Sequence, residues 1–166
     1  MAEIIPNLIY NLFDETIELF YYGIPHDWSL EKLQCSSNLP ECSLLAERVA
    51  SAMRKAEIAS LYAPQSDFSA RVCKREEFMQ PILLEFGKTL WRGCSGDAIE
   101  IKQNEATCIS SGDCPTVIIW SKISQRLLVG HAGRDCLLDK EKIEHGEIGA
   151  SRLPESIIDA MIDVLD

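Results

Sequence analysis

The sequence predicts an α/β (α+β) fold in which helices cover a mixed β-sheet sandwich. Three observations predict it. Apolar residues recur at helical spacing from 43 to about 61, the pattern switches at Asp97 to short apolar runs separated by turn residues, and helical spacing returns after Pro154. With 166 residues, 46% of them hydrophobic and 25% charged, the chain has apolar surface for one core and too much of it to be held open by charge. A single domain over 1–166 is therefore expected.

Residues 8 to 24 are rich in β-branched and aromatic types and carry a polar break at Asp14 and Glu15, which predicts two short strands. In the first helix, Leu45, Val49, Ala52, Met53 and Ala56 form the apolar stripe, and Glu47, Arg48, Arg54 and Lys55 lie off it. Pro64 is expected to stop this helix. The stretch from 65 to 96 is mixed in character, punctuated by Gly87, Gly93 and Gly96. After Asp97, the runs at 98 to 101, 106 to 109, 117 to 120 and 127 to 129 are expected to be strands of one sheet. Ile157, Ile158, Met161, Ile162 and Leu165 then share one helix face, with Glu155, Asp159 and Asp163 opposite and Pro154 in the first turn. That terminal helix should lay its stripe on the sheet.

The formal charge of −10 argues against duplex DNA or an anionic membrane as partner, because both require clustered Lys and Arg. A protein or small-molecule substrate is expected instead. The first basic residue is Lys32, so the N-terminus lacks the basic region of a secretory signal, and Asn7, Asn11, Asp14, Glu15 and Glu18 interrupt its apolar runs. The seven cysteines, Cys35, Cys42, Cys73, Cys94, Cys108, Cys114 and Cys136, are odd in number and include no Cys-x-x-Cys pair. That usage suits reduced thiols in a cytosol, whether the cell's own or a host's.

One cysteine has a distinctive setting. Ser110-Ser111-Gly112-Asp113-Cys114-Pro115-Thr116-Val117 places Cys114 between a glycine-containing turn and a strongly apolar strand, and the next strand ends in Val129-Gly130-His131-Ala132-Gly133-Arg134. Two neighbouring strand ends can bring the Cys114 thiol and the His131 imidazole together. Such a pair either makes a nucleophile, the imidazole drawing the thiol proton, or ligates a metal. Gly112 and Asp113, in the turn, are the expected contributors to an oxyanion site, since glycine lets a substrate approach the backbone closely. The other six cysteines are expected to be small buried hydrophobes, and His26 and His145 to be loop residues.

Gly112-Asp113-Cys114-Pro115-Thr116-Val117 followed by His131-Ala132-Gly133-Arg134 resembles the laccase-domain family, also called polyphenol oxidoreductase-like. Its members carry Ala-Asp-Cys-x-Pro-Val and then His-Ala-Gly-Trp-Arg-Gly, and the interval from Cys114 to His131 matches theirs. Gly96-Asp97-Ala98-Ile99 is similar to the family's Ala-Asp-Ala segment, and Gln65-Ser66-Asp67 falls where the family has Gln-Val-His, so the resemblance runs from about 40 to 138. It implies a zinc-dependent purine nucleoside phosphorylase or adenosine deaminase whose metal would be held by Asp67, Cys114 and His131. Asp67 stands in place of the family's first histidine, and Arg134-Asp135-Cys136 in place of Trp-Arg-Gly. Arg134 is then the expected anion-binding residue. The same structural class includes metal-free cysteine enzymes, the chemoreceptor glutamine deamidase and the catalytic domain of cytotoxic necrotizing factor, although Cys108 stands where that deamidase has a threonine.

The leading expectation is a cysteine-dependent hydrolase, Cys114 and His131 acting on an amide or acyl substrate without a cofactor, with glutamine deamidation as the candidate reaction. The alternative is the zinc-dependent nucleoside enzyme. An inactive binding module is the third reading.

Overall fold

The computed structural model describes residues 8–13, 17–21, 40–67, 70–103, 105–109, 114–137 and 156–165. Backbone contacts divide the chain into two compact units, one of residues 1–59 and 83–88 and the other of 60–82 and 89–166. The class is α+β: sheets containing parallel and antiparallel pairs, with helices.

In the first unit, β1 (Leu8–Leu12) and β2 (Ile17–Tyr21) pair antiparallel, with Leu8 opposite Tyr21 and Leu12 opposite Ile17. Asp14 and Glu15, the expected polar break between the two strands, lie outside the described residues. Helix α1 (Pro40–Lys55) buries Leu45, Val49, Ala50 and Met53 along one side. It ends earlier than its periodicity predicts, and Pro64 does not end it. Glu57 turns into the left-handed region at φ 58°, its N–H donates to the Arg54 carbonyl, and the Ile58 N–H donates to the Met53 carbonyl. These two bonds satisfy carbonyls orphaned at the helix end. A glutamate occupies the position that glycine usually marks, so composition gave no stop signal there.

The second unit holds the remaining strands. The mixed stretch from 65 to 96 contains three short strands, β4 (Val72–Cys73), β5 (Gln80–Leu83, all but Leu83 in this unit) and β6 (Thr89–Arg92), which follow β3 (Ser60–Tyr62). Of the four runs expected in one sheet, three are together. β7 (Ala98–Ile101), β9 (Thr116–Ser121) and β10 (Arg126–His131) join β4 in the order β4-β7-β10-β9. The run at 106 departs from expectation, because β8 (Ala106–Thr107) pairs parallel with β3 in a second sheet of order β5-β6-β3-β8. Periodicity marks a strand but not its partner.

Helix α2 (Arg134–Leu137) follows β10, and α3 (Ile157–Leu165) is the expected terminal helix, but it buries Ile157, Ala160 and Met161 while Ile162, expected on the stripe, is exposed. Ile157 and Met161 are fully buried and join Ala98, Leu128, Ala132 and Cys136 in one cluster. Gly130 permits this docking. A Cβ there would lie 2.8 Å from the Met161 sulfur and 3.0 Å from the Ala98 Cβ, distances that side chains do not tolerate without movement. No helix among the described residues is long and apolar enough to cross a membrane.

Across β7 and β10, the Arg126 guanidinium donates from Nε and Nη2 to the two Glu100 carboxylate oxygens, each at 2.8 Å. The hydrogen bonds from Arg126 hold the Glu100 carboxyl below the usual carboxylate range. A carboxyl depressed on folding stabilises the fold above its unfolded pKa of about 4.3 and loses that contribution as pH falls through its lower folded value. Glu100→Gln should therefore cost on the order of 1 kcal/mol or less at pH 7, given the pair's partial exposure. The gap from wild type in urea midpoint should close on acidification below the usual carboxylate range. A gap that stays constant into strong acid would exclude the ion pair as its source.

Candidate active site

The register of the β4-β7-β10-β9 sheet builds the site. Gly130 pairs with Ala98 and His131 with Thr116, so Asp97, just ahead of β7, lies beside His131. The His131 N–H donates to the Asp97 carbonyl at 2.7 Å, and the Ala132 N–H to the Pro115 carbonyl at 2.9 Å. These two bonds tie the end of β10 to the segment before β7 on one side and to the segment before β9 on the other.

On the side-chain level, His131 Nδ1 stands 3.2 Å from Asp97 Oδ1, and both residues are buried, at 5% and 1% exposure. The Ser66 hydroxyl donates to the same Asp97 oxygen and lies 3.4 Å from His131 Nδ1. Ser66 reaches this point because Gln65 bridges to Ser95 in parallel and Gly96 N–H donates to the Gln65 carbonyl at 2.9 Å. Helix α2, whose Cys136 N–H bonds the Gly133 carbonyl, folds Cys136 back until its sulfur is 3.7 Å from His131 Nδ1. Three groups therefore face one nitrogen of the ring.

The other edge of the imidazole is bordered by Gly133. A Cβ on Gly133 would lie 2.8 Å from His131 Cε1, 3.3 Å from Nε2 and 3.5 Å from the Cys114 sulfur. The sulfur and Nε2 are thus each within 3.5 Å of one point, which bounds their separation at twice that distance. The missing side chain at 133 leaves that space to them. Cys114 is half-buried, unlike Cys73, Cys94 and Cys136, which are buried.

The remaining expected residues fall as follows. Asp67 is exposed, next to Ser66. Arg134 is exposed at the start of α2. Gly112 and Asp113, expected to form the oxyanion turn, lie outside the described residues, as do His26 and His145. Asp97, Ser66 and Cys136 belong to the site without having been singled out by sequence reasoning. All three lie in segments that carry the resemblance, Gln65-Ser66-Asp67, Gly96-Asp97-Ala98 and Arg134-Asp135-Cys136, where a neighbour or no residue had been given the role.

No protein-family model, curated protein or solved structure matches the chain. What the site does is therefore argued from its own geometry. A carboxylate at Nδ1 of a histidine fixes the ring and its tautomer, leaving Nε2 to exchange a proton with whatever faces it, the division of labour of a nucleophile, base and orienting acid.

Proposed function

We propose that the chain is a cysteine hydrolase in which Cys114 attacks an amide or acyl carbon, His131 moves the proton and Asp97 orients His131. The observation that supports this most directly is that Asp97 holds Nδ1 of a buried imidazole whose Cε1–Nε2 edge borders, together with the Cys114 sulfur, the space at Gly133. In this reading the chain shares the sandwich architecture of the cysteine deamidases and the laccase-domain proteins.

The chemistry balances without a cofactor. His131 Nε2 takes the thiol proton, the sulfur bonds to the carbonyl carbon, and the oxygen becomes an oxyanion held by the backbone N–H of Cys114. Collapse breaks the carbon–nitrogen bond, and the imidazolium returns its proton to the departing amine. Water, deprotonated by the same imidazole, then hydrolyses the thioester to a carboxylic acid and restores the thiol. A glutamine side chain processed this way yields glutamate and ammonia.

An activated ester tests the reading without knowledge of the substrate. p-Nitrophenyl acetate should release p-nitrophenol in a burst and leave one acetyl group on Cys114, detectable by intact mass and peptide mapping; Cys114→Ala should abolish both. Gly133→Ala is the geometric counterpart, since the new methyl group intrudes between His131 and Cys114. It should lower the acetylation rate by about a hundredfold, the scale of a general base put out of reach, while leaving the circular dichroism spectrum unchanged. Acetylation spread over several cysteines, or undiminished in Gly133→Ala, would remove the basis for the proposal.

A further inference from the structure

The Nδ1 edge of His131, where the hydrolase reading uses only Asp97, carries a second arrangement that adds Cys136. Asp97, His131 and Cys136 each offer one ligand atom, these atoms lie within 4.8 Å of one another, and all three residues are buried. We infer that Asp97, His131 and Cys136 form a binding site for a borderline-soft divalent cation of the zinc class.

The spacing fits the ion. Zinc bonds of about 2.0 Å to nitrogen and oxygen and about 2.3 Å to sulfur, set at tetrahedral angles, separate N from O by about 3.3 Å and N from S by about 3.5 Å. The observed separations from Nδ1 are 3.2 Å to Asp97 Oδ1 and 3.7 Å to Cys136 Sγ. The Asp97 oxygen and the Cys136 sulfur lie within 4.8 Å of each other, and seating an ion draws these two together.

Charge and donor type agree. A dication bound by one carboxylate, one thiolate and one neutral imidazole is electrically balanced, so a buried site carries no residual charge. Thiolate with imidazole selects zinc-like ions over magnesium or calcium, which take oxygen ligands. Ser66, exposed at the surface with its hydroxyl 3.4 Å from Nδ1, marks the side from which a fourth ligand reaches the ion.

This set differs from the one that the laccase-domain resemblance implies. Among the described residues, the group of three donors contains neither Asp67 nor Cys114. The two sets share His131 and differ in which cysteine binds, so sulfur ligation separates them. The inference shares Asp97 and His131 with the hydrolase reading but concerns Nδ1 and Cys136, whereas that reading turns on Nε2 and Cys114 in metal-free protein and is tested by acetylation.

The experiment titrates cobalt(II) into the full chain freed of metal with a chelator. One equivalent should bind, with a thiolate-to-cobalt charge-transfer band in the near ultraviolet and the visible bands of a tetrahedral ion. X-ray absorption on the zinc-loaded chain should show one sulfur neighbour at about 2.3 Å. The deciding variant is Cys114→Ser, at a half-buried position, which should keep the band and the sulfur neighbour. Cys136→Ser, where it folds, should lose both and weaken cobalt binding at least tenfold, since loss of a mere supporting contact already costs about 10 to 100-fold. Absence of saturable cobalt binding, or loss of the sulfur neighbour in Cys114→Ser, overturns the site; if Cys136→Ser fails to fold, the Cys114→Ser spectrum decides alone.

Discussion

If His131 is the base proposed for Cys114, its replacement by asparagine should slow alkylation of Cys114 by iodoacetamide at neutral pH at least about tenfold. In the wild-type chain, Cys114 should label well before the other mapped cysteines. Burial accounts for part of this order: it pushes the Cys73 and Cys94 thiols up, which keeps them protonated, and Cys136 is 1% exposed. The comparison that isolates activation from access is Cys108, half-buried like Cys114 but not adjacent to Gly133 in the contacts that define the site. The Cys108 rate should not change in His131→Asn. Timed quenching and peptide mapping give every rate in one experiment, and a Cys114 that labels no faster than Cys108 in the wild type would show a thiol without a base.

Leu128→Ala should produce the largest loss of stability, about 2 to 5 kcal/mol, as expected for a leucine truncated in a core that cannot fully collapse around the gap. Leu128 is fully buried in the cluster with Ala98, Ala132, Cys136, Ile157 and Met161. Against total stabilities of roughly 5 to 15 kcal/mol for folded domains, this is a major fraction. The thermal midpoint followed by far-ultraviolet circular dichroism should fall by roughly 5 to 15 °C. A fall of under about 2 °C would mean that the cluster contributes little to the cooperative unit.

The two effects bear on what the sequence made legible. Strands β7, β9 and β10 and helix α3 follow from local patterns, since each is an apolar run or stripe bounded by turn residues. Strands β3 and β4 were missed because they are two or three residues long and are held by parallel pairing to β6 and β7, which leaves no local mark. At the site, Cys114 and His131 were legible from their position at strand ends. Cys136 is buried, as expected of a small hydrophobe, yet its sulfur faces His131, a relation set by the turn of α2. Asp97 reaches His131 through strand register and Ser66 reaches Asp97 through the Gln65 to Ser95 bridge, and neither pairing is written in any single segment.

The same long-range bonds have a consequence for how the chain acquires its site. Ser66 and Asp97 are 31 positions apart and Ser66 and His131 are 65 apart, so each contact closes a large loop. Closure entropy grows only logarithmically with loop length but must be met before the contact stabilises anything, and parallel pairings such as β4 with β7 add to the delay. The hairpin of β9 and β10 closes over a short connection and can form early, bringing His131 and Thr116 together. Asp97 and Ser66 arrive only when β7 and the segment after β3 dock. A newly made chain therefore holds its thiols for a time beside an imidazole that nothing yet orients, and the complete site belongs to the last steps of folding.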